Sequence, residues 1–141
     1  MKLYRLAHKD LAFQLEYNPL LGCVSNGKHP FFCAFDSVAS AILESCGHRT
    51  LGKLSPNLCF LEFRLPDHCW ISTIHDEAIL DPTSGIFSGS PGAKARQFLQ
   101  DRKALVAAFP SLHWQHQLNY LINPRHPLFK EITITKILPC I

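Results

Sequence analysis

The chain has 141 residues, of which 47% are hydrophobic and 18% charged, and its formal net charge is +3. Those proportions describe one folded domain over residues 1–141, long enough to bury a core, and they exclude a disordered chain. There is no cluster of five or more Lys and Arg and no apolar run of membrane-spanning length, so neither nucleic acid nor a membrane is an expected partner.

The opening stretch MKLYRLAHKDLAFQ lacks a continuous apolar segment and a small-residue cleavage site. The expected location is therefore the cytoplasm, or export by a route without a conventional signal peptide. Cys140 stands second from the end, which does not fit a prenylation pattern. The six cysteines (Cys23, Cys33, Cys46, Cys59, Cys69, Cys140) are expected as free thiols in a reducing compartment, most of them small apolar core residues.

Residues 2–16 mix Leu, Tyr and Phe with charges and receive no assignment, and residues 17–30 are dense in turn formers and read as a loop. In FCAFDSVASAILESCG, the residues Phe35, Val38, Ala39, Ile42 and Cys46 recur at helical spacing, with Gly47 as a left-handed stop. That stripe places Cys33 at the amino end of a helix. LCFLEFRL (58–65) alternates as a strand, with Cys59, Leu61, Phe63 and Leu65 on its more apolar face. DHCWISTIHDEAILDPTSG (67–85) reads as two short strands turning near His75-Asp76. Ser90-Pro91 is the expected cap of a helix carrying Ala95, Phe98, Leu99, Leu105 and Phe109. Pro110-Ser111 restarts a second helix with Trp114, Leu118, Leu121 and Ile122 as its stripe. INPRHP breaks that helix, and EITITKIL (131–138) alternates as a final strand. The fold class is α+β with a small, mostly antiparallel sheet.

Acyl transfer by a thiol needs an easily ionised cysteine, an imidazole to take and return the proton, and a group orienting that imidazole. A helix start supplies the first, because unpaired N–H groups and the helix dipole favour a thiolate there, which singles out Cys33. His68 at the head of the hairpin is the candidate base. Asp81 at its far end is the candidate orienter, and a turn centred near His75-Asp76 would put the two diagonally on one face. A one-residue slip in register would separate them. Asp36, Glu62 and Asp67 are charged neighbours of this expected site, and Asp36 also suits a helix start. Trp70 either walls a cleft or packs in the core, and core is the expectation.

A cysteine opening a helix, then a strand, then His-x-Trp (HCW), then Leu-Asp-Pro-Thr (LDPT) is similar to the transglutaminase-like branch of the papain-like fold. The resemblance covers roughly residues 31–85. It implies a nucleophile helix packed on a small sheet, with Cys33 as nucleophile, His68 as base and acid, and Asp81 as orienter. Phe32 and Ala34 flank Cys33 where the family often has Gly or Trp. The backbone N–H of Cys33 is a natural oxyanion donor. The family also implies a side-chain donor about half a dozen residues earlier, where Gly27 stands beside Asn26. Asn26 is thus a candidate, with a turn role in Ser-Asn-Gly as the simpler use.

The implied activity is cysteine-dependent acyl transfer on protein amide groups. Glutamine deamidation or peptide hydrolysis is favoured over cross-linking, since no second domain is present to bind an amine donor. By family-level analogy such a small catalytic core suits a bacterial effector or toxin. The alternative is a non-catalytic protein-binding module, an immunity protein or adaptor, on the same scaffold. The expected partner is a protein or peptide substrate; no cofactor is expected, and the oligomeric state is left open. Zinc is the competing use of Cys and His. Cys46-Gly47-His48, His68-Cys69 and His113-x-x-His116 are the nearest pairs, but no complete pair-of-pairs spacing exists, so no metal is expected.

Overall fold

The computed structural model describes residues 1–9, 31–46, 57–75, 93–111 and 116–139. Seven strands run in chain order as β1 (Lys2–His8), β2 (Phe32–Phe35), β3 (Leu58–Arg64), β4 (Ile71–Thr73), β5 (Val106–Pro110), β6 (Leu118–Ile122) and β7 (Thr133–Pro139). Helix α1 (Val38–Cys46) follows β2, helix α2 (Ala93–Asp101) precedes β5, and a short 3-10 helix (Pro127–Glu131) lies between β6 and β7. The strands form one sheet in the order β4-β5-β6-β2-β1-β3-β7. The β4–β5 pair is parallel, and the other described pairs are antiparallel. The expected α+β class with a mostly antiparallel sheet is thus observed.

Alternation along the strands sends side chains to two cores. Leu3, Ala7, Phe32, Ala34, Cys59, Leu61, Phe63, Val106, Ala108, Tyr120 and Ile122 share one face. There Leu128 and Phe129 of the 3-10 helix pack against them, with Phe129 edge-on to Phe32 at 6.2 Å. The other face carries Leu6, Cys33, Phe35, Phe60, Ala107, Phe109 and Leu121, packed with Ala41 of α1 and Ala95 and Leu99 of α2. Burying a Phe or Leu side chain is worth about 1.5–3 kcal/mol each, so these layers supply the main driving force for folding.

Burial on both faces explains where sequence patterning misled. β1 buries Leu3, Arg5, Leu6 and Ala7, and Arg5 lies with its guanidinium carbon 4.5 Å over the Phe32 ring. A central strand holding an arginine shows no clean alternation. The expected helix through Phe109 is shorter: α2 ends at Asp101, and Arg102 turns the chain with a left-handed φ of 51°. VAAFP then forms β5 with its first four residues buried. An apolar run of that length is equally compatible with a buried strand. The expected helix over Leu118, Leu121 and Ile122 is strand β6 instead, paired with β5 on one side and β2 on the other. Trp114, the loop 17–30, Gly47, the Ser90-Pro91 cap and the second strand of the expected hairpin lie outside the described residues.

Helix α1 is set by a serine. Ser37 is its N-cap: its Oγ accepts from the Ser40 N–H at 3.0 Å, and its carbonyl accepts from the Ala41 N–H at 3.0 Å. The helix therefore begins at Val38, and Phe35 of the expected helical stripe belongs to β2.

Candidate functional site

Cys33 sits inside β2, five positions before the first residue of α1, and pairs across the sheet with Leu121. Its placement at a helix start is corrected: Ser37 takes the cap, so the dipole and open N–H groups lie away from the thiol. It is 3% exposed and packed among Phe31, Phe35, Leu121 and Ala41, the setting of an ordinary core cysteine.

His68 lies in the turn between β3 and β4 rather than at a strand start. Its imidazole is largely exposed, with Nε2 3.8 Å from a Glu131 carboxylate oxygen on the 3-10 helix. Cys33 packs on the helix-covered face, whereas His68 stands beside the element that covers the opposite face. Asp81 and Asn26 lie outside the described residues. Trp70 is 64% exposed, contrary to its expected place in the core. Cys69 beside it packs half-buried on the first core, and burial pushes its thiol up; the same is true of Cys59 in β3. Both thiols are therefore held in their neutral form, away from nucleophilic use.

Two buried polar groups, Glu62 and Asn123, are fully explained by their partners. Glu62 in β3 accepts from Thr135 Oγ1 at 2.8 Å and Tyr4 Oη at 2.9 Å, and Lys2 Nζ lies 3.4 Å away. The Thr135 hydrogen bond, with those from Tyr4 and Lys2, holds the Glu62 carboxyl below its ordinary range against the opposing effect of burial. Donation to Glu62, with burial, raises Tyr4 above its ordinary value. Asn123 donates to the Leu99 carbonyl at 3.1 Å and accepts from the Arg125 N–H at 3.1 Å, fixing the Asn-Pro-Arg-His-Pro turn. His126 then caps the 3-10 helix by accepting from the Leu128 N–H at 3.1 Å.

A different group is not explained that way. Glu44 of α1 is 2% exposed; Ser111 Oγ donates to its Oε1, while Oε2 has no hydrogen-bond partner among the described residues. Asn119 of β6 is 0% exposed, and neither its amide nitrogen nor its amide oxygen has a partner among them. Asn119 pairs with Phe35 of β2 and Phe109 of β5, so it shares their helix-covered face. Ser111 follows two residues after Phe109 and by alternation faces the same way. Ser111 and Asn119 therefore both face the helix-covered side of the sheet, and there Ser111 meets Glu44. Buried polar atoms are almost always paired, and each exception needs a reason. A buried carboxylate with one oriented and one open oxygen, on a face that also carries an open amide, is a candidate polar ligand site.

Sequence reasoning passed over these residues, although two signals were present. Glu44 is the one charged residue in VASAILESC, three positions after the buried Ala41. Asn119 interrupts the otherwise apolar strand LNYLI, where Asn is disfavoured.

Among the described residues, no group of three or more His, Cys, Asp and Glu is placed to hold a metal ion. Among them also, no helix is long and apolar enough to cross a membrane. In comparisons with known proteins, the chain matches no family model and no curated protein.

Proposed function

We propose that the chain is a small hydrolase acting on polar carbonyl compounds, amides among them, with Glu44 as its working base. The observation that carries this reading is the Glu44 carboxylate itself, buried, held at Oε1 by Ser111 and open at Oε2. A buried thiol among apolar neighbours costs nothing to keep, so the burial of Cys33 needs no functional reason. A buried carboxylate oxygen without a partner costs folding free energy, and its retention favours a use.

In this reading Ser111 fixes the carboxylate by donating to Oε1. Oε2 accepts a proton from an attacking water, whose oxygen forms a bond to the substrate carbonyl carbon. The developing oxyanion accepts from the amide of Asn119, and the proton held by Glu44 passes to the leaving group. The thiol version of the activity, on a transglutaminase-like core, rests on the order of Cys33, His68 and Asp81 alone.

The test is hydrolysis of p-nitrophenyl acetate and of a glutamine-containing peptide by wild type, Glu44→Gln and Cys33→Ser. The expected result is a loss of about 100-fold or more in Glu44→Gln, with Cys33→Ser within about threefold of wild type. The opposite pattern would return the activity to the thiol. No turnover by the folded wild-type chain on either compound would overturn the hydrolase reading in favour of a binding module.

A further inference from the structure

A run of hydrogen bonds connects the two elements that carry Glu44 and Ser111. The Ser111 N–H donates to the Gln117 carbonyl at 2.9 Å. The side chain of Gln117 turns back across the sheet, donating to Asp36 Oδ1 at 3.1 Å and to the Leu118 carbonyl at 3.0 Å. Asp36 Oδ1 also accepts from Ser40 Oγ at 3.0 Å. Ser40 Oγ in turn accepts from Ser37 Oγ at 2.9 Å, and Ser37 is the cap of α1. The start of β6, the end of β5 and the first turn of α1 are thus stapled through one residue, by its backbone carbonyl and its side chain.

From this geometry we propose that Gln117 is a positioning residue, and that its bridge to Asp36 sets the tilt of α1 and hence the place of the Glu44 carboxylate against Ser111 and Asn119. The proposal rests on the Glu44 reading above. The lever is the helix itself. Glu44 lies seven residues beyond the cap, about 10 Å along the axis at 1.5 Å per residue. A tilt of about 6° at the cap end moves the carboxylate by about 1 Å over that length. A displacement of that size costs an enzyme roughly 100-fold when it falls on a reacting group. Asp36 and Gln117 touch no part of the proposed reaction, and their hydrogen bonds are solvent-facing, so their removal leaves the core intact.

The experiment follows the Glu44 side-chain carboxyl carbon by NMR in chain labelled with carbon-13 glutamate, the signal being assigned by its loss in Glu44→Gln. Gln117→Ala and Asp36→Ala are expected to shift that signal. The exchanged pair Asp36→Asn with Gln117→Glu keeps a donor facing an acceptor and conserves net charge, and it is expected to bring the signal back. In the hydrolysis assay the single variants are expected to lose up to about 100-fold in kcat with KM little changed, and the exchanged pair to recover most of it. A Glu44 signal unmoved in folded Gln117→Ala would overturn the positioning role. The NMR readout does not depend on turnover, so an inactive wild type would count against the hydrolase reading and leave the bridge to be judged on the Glu44 signal.

Discussion

Two glutamates are buried among the described residues, Glu62 in the sheet and Glu44 on α1, and they are held in opposite ways. Glu62 is wrapped by Thr135, Tyr4 and Lys2 from the strands on either side of β3, so both carboxylate oxygens are engaged. Glu44 is as deeply buried, but only one oxygen is engaged, by Ser111. Burial alone therefore says little about use; what separates the two is whether folding itself accounts for the charge. Glu62 is closed by the fold and holds three strands together. Glu44 is left open at Oε2 by the fold, and the face it covers also carries the open amide of Asn119.

Substitutions can break or sharpen that contrast. The largest effect is expected in turnover: Glu44→Gln loses about 100-fold or more in hydrolysis, whereas Glu62→Gln retains activity at temperatures where it stays folded. In melting experiments the order reverses. Glu62→Gln lowers the Tm because it disturbs a satisfied network, and Glu44→Gln costs less because one of the atoms it replaces has no partner among the described residues.

The two buried asparagines repeat the comparison at smaller scale. Asn123→Ala is expected to cost about 2 kcal/mol in urea unfolding, since it strands the Leu99 carbonyl and the Arg125 N–H. Asn119→Leu is expected to gain about 1 kcal/mol, since an open amide gives way to an apolar side chain among Phe35 and Phe109. A cost at Asn119 equal to that at Asn123 would mean that Asn119 is structural, and the site would lose its oxyanion donor.

The pH dependence of stability isolates the closed network. The Glu62 carboxyl is held below its unfolded value, so its contribution is present above the unfolded carboxylate range and is lost as pH falls through the folded value. Tyr4 is raised, so its contribution is present below the unfolded tyrosine value and is lost as pH climbs through the folded value. Thr135→Val should flatten the acid limb of a Tm-versus-pH curve, and Tyr4→Phe should flatten the alkaline limb. A Tyr4→Phe curve that keeps its alkaline limb would show that other groups set it. The smallest expected effect lies outside both networks. Arg102→Gly should raise stability by about 0.5–1 kcal/mol, because Arg102 holds a left-handed φ that glycine adopts without strain.

Much of the scaffold was legible in the sequence. β3 was read with its inward face correct, because Cys59, Leu61, Phe63 and Leu65 alternate with residues of a different character. β7, at the sheet edge, was legible as a strand from its alternating residue types, although its burial does not alternate where its register with β3 shifts at Glu62 and Phe63. α1 was legible in its spacing but not in its start, since Cys33 was counted into the helix when Ser37, four residues later, carries the cap. β5 and β6 were lost to helix readings because both faces are covered and alternation vanishes. The candidate site was hidden for a related reason: sequence search favours residues whose types suggest chemistry in recognised order. Glu44 meets Ser111 only through the packing of α1 on the sheet, and Asn119 is placed by strand register; local spacing encodes neither.

The strand order has a consequence for how the chain assembles. β1 lies between β2 and β3, β2 needs β6 on its other edge, and β3 needs β7. The middle of the sheet is therefore completed only by segments that follow the early strands by many residues. A nascent chain that stops short of Leu118 has β2 lacking one neighbour and β3 lacking another, with Phe32, Cys33 and Phe63 denied their final packing. Contacts this distant in sequence slow folding and make it cooperative. For this protein the early strands wait for β6 and β7 before their edges are covered.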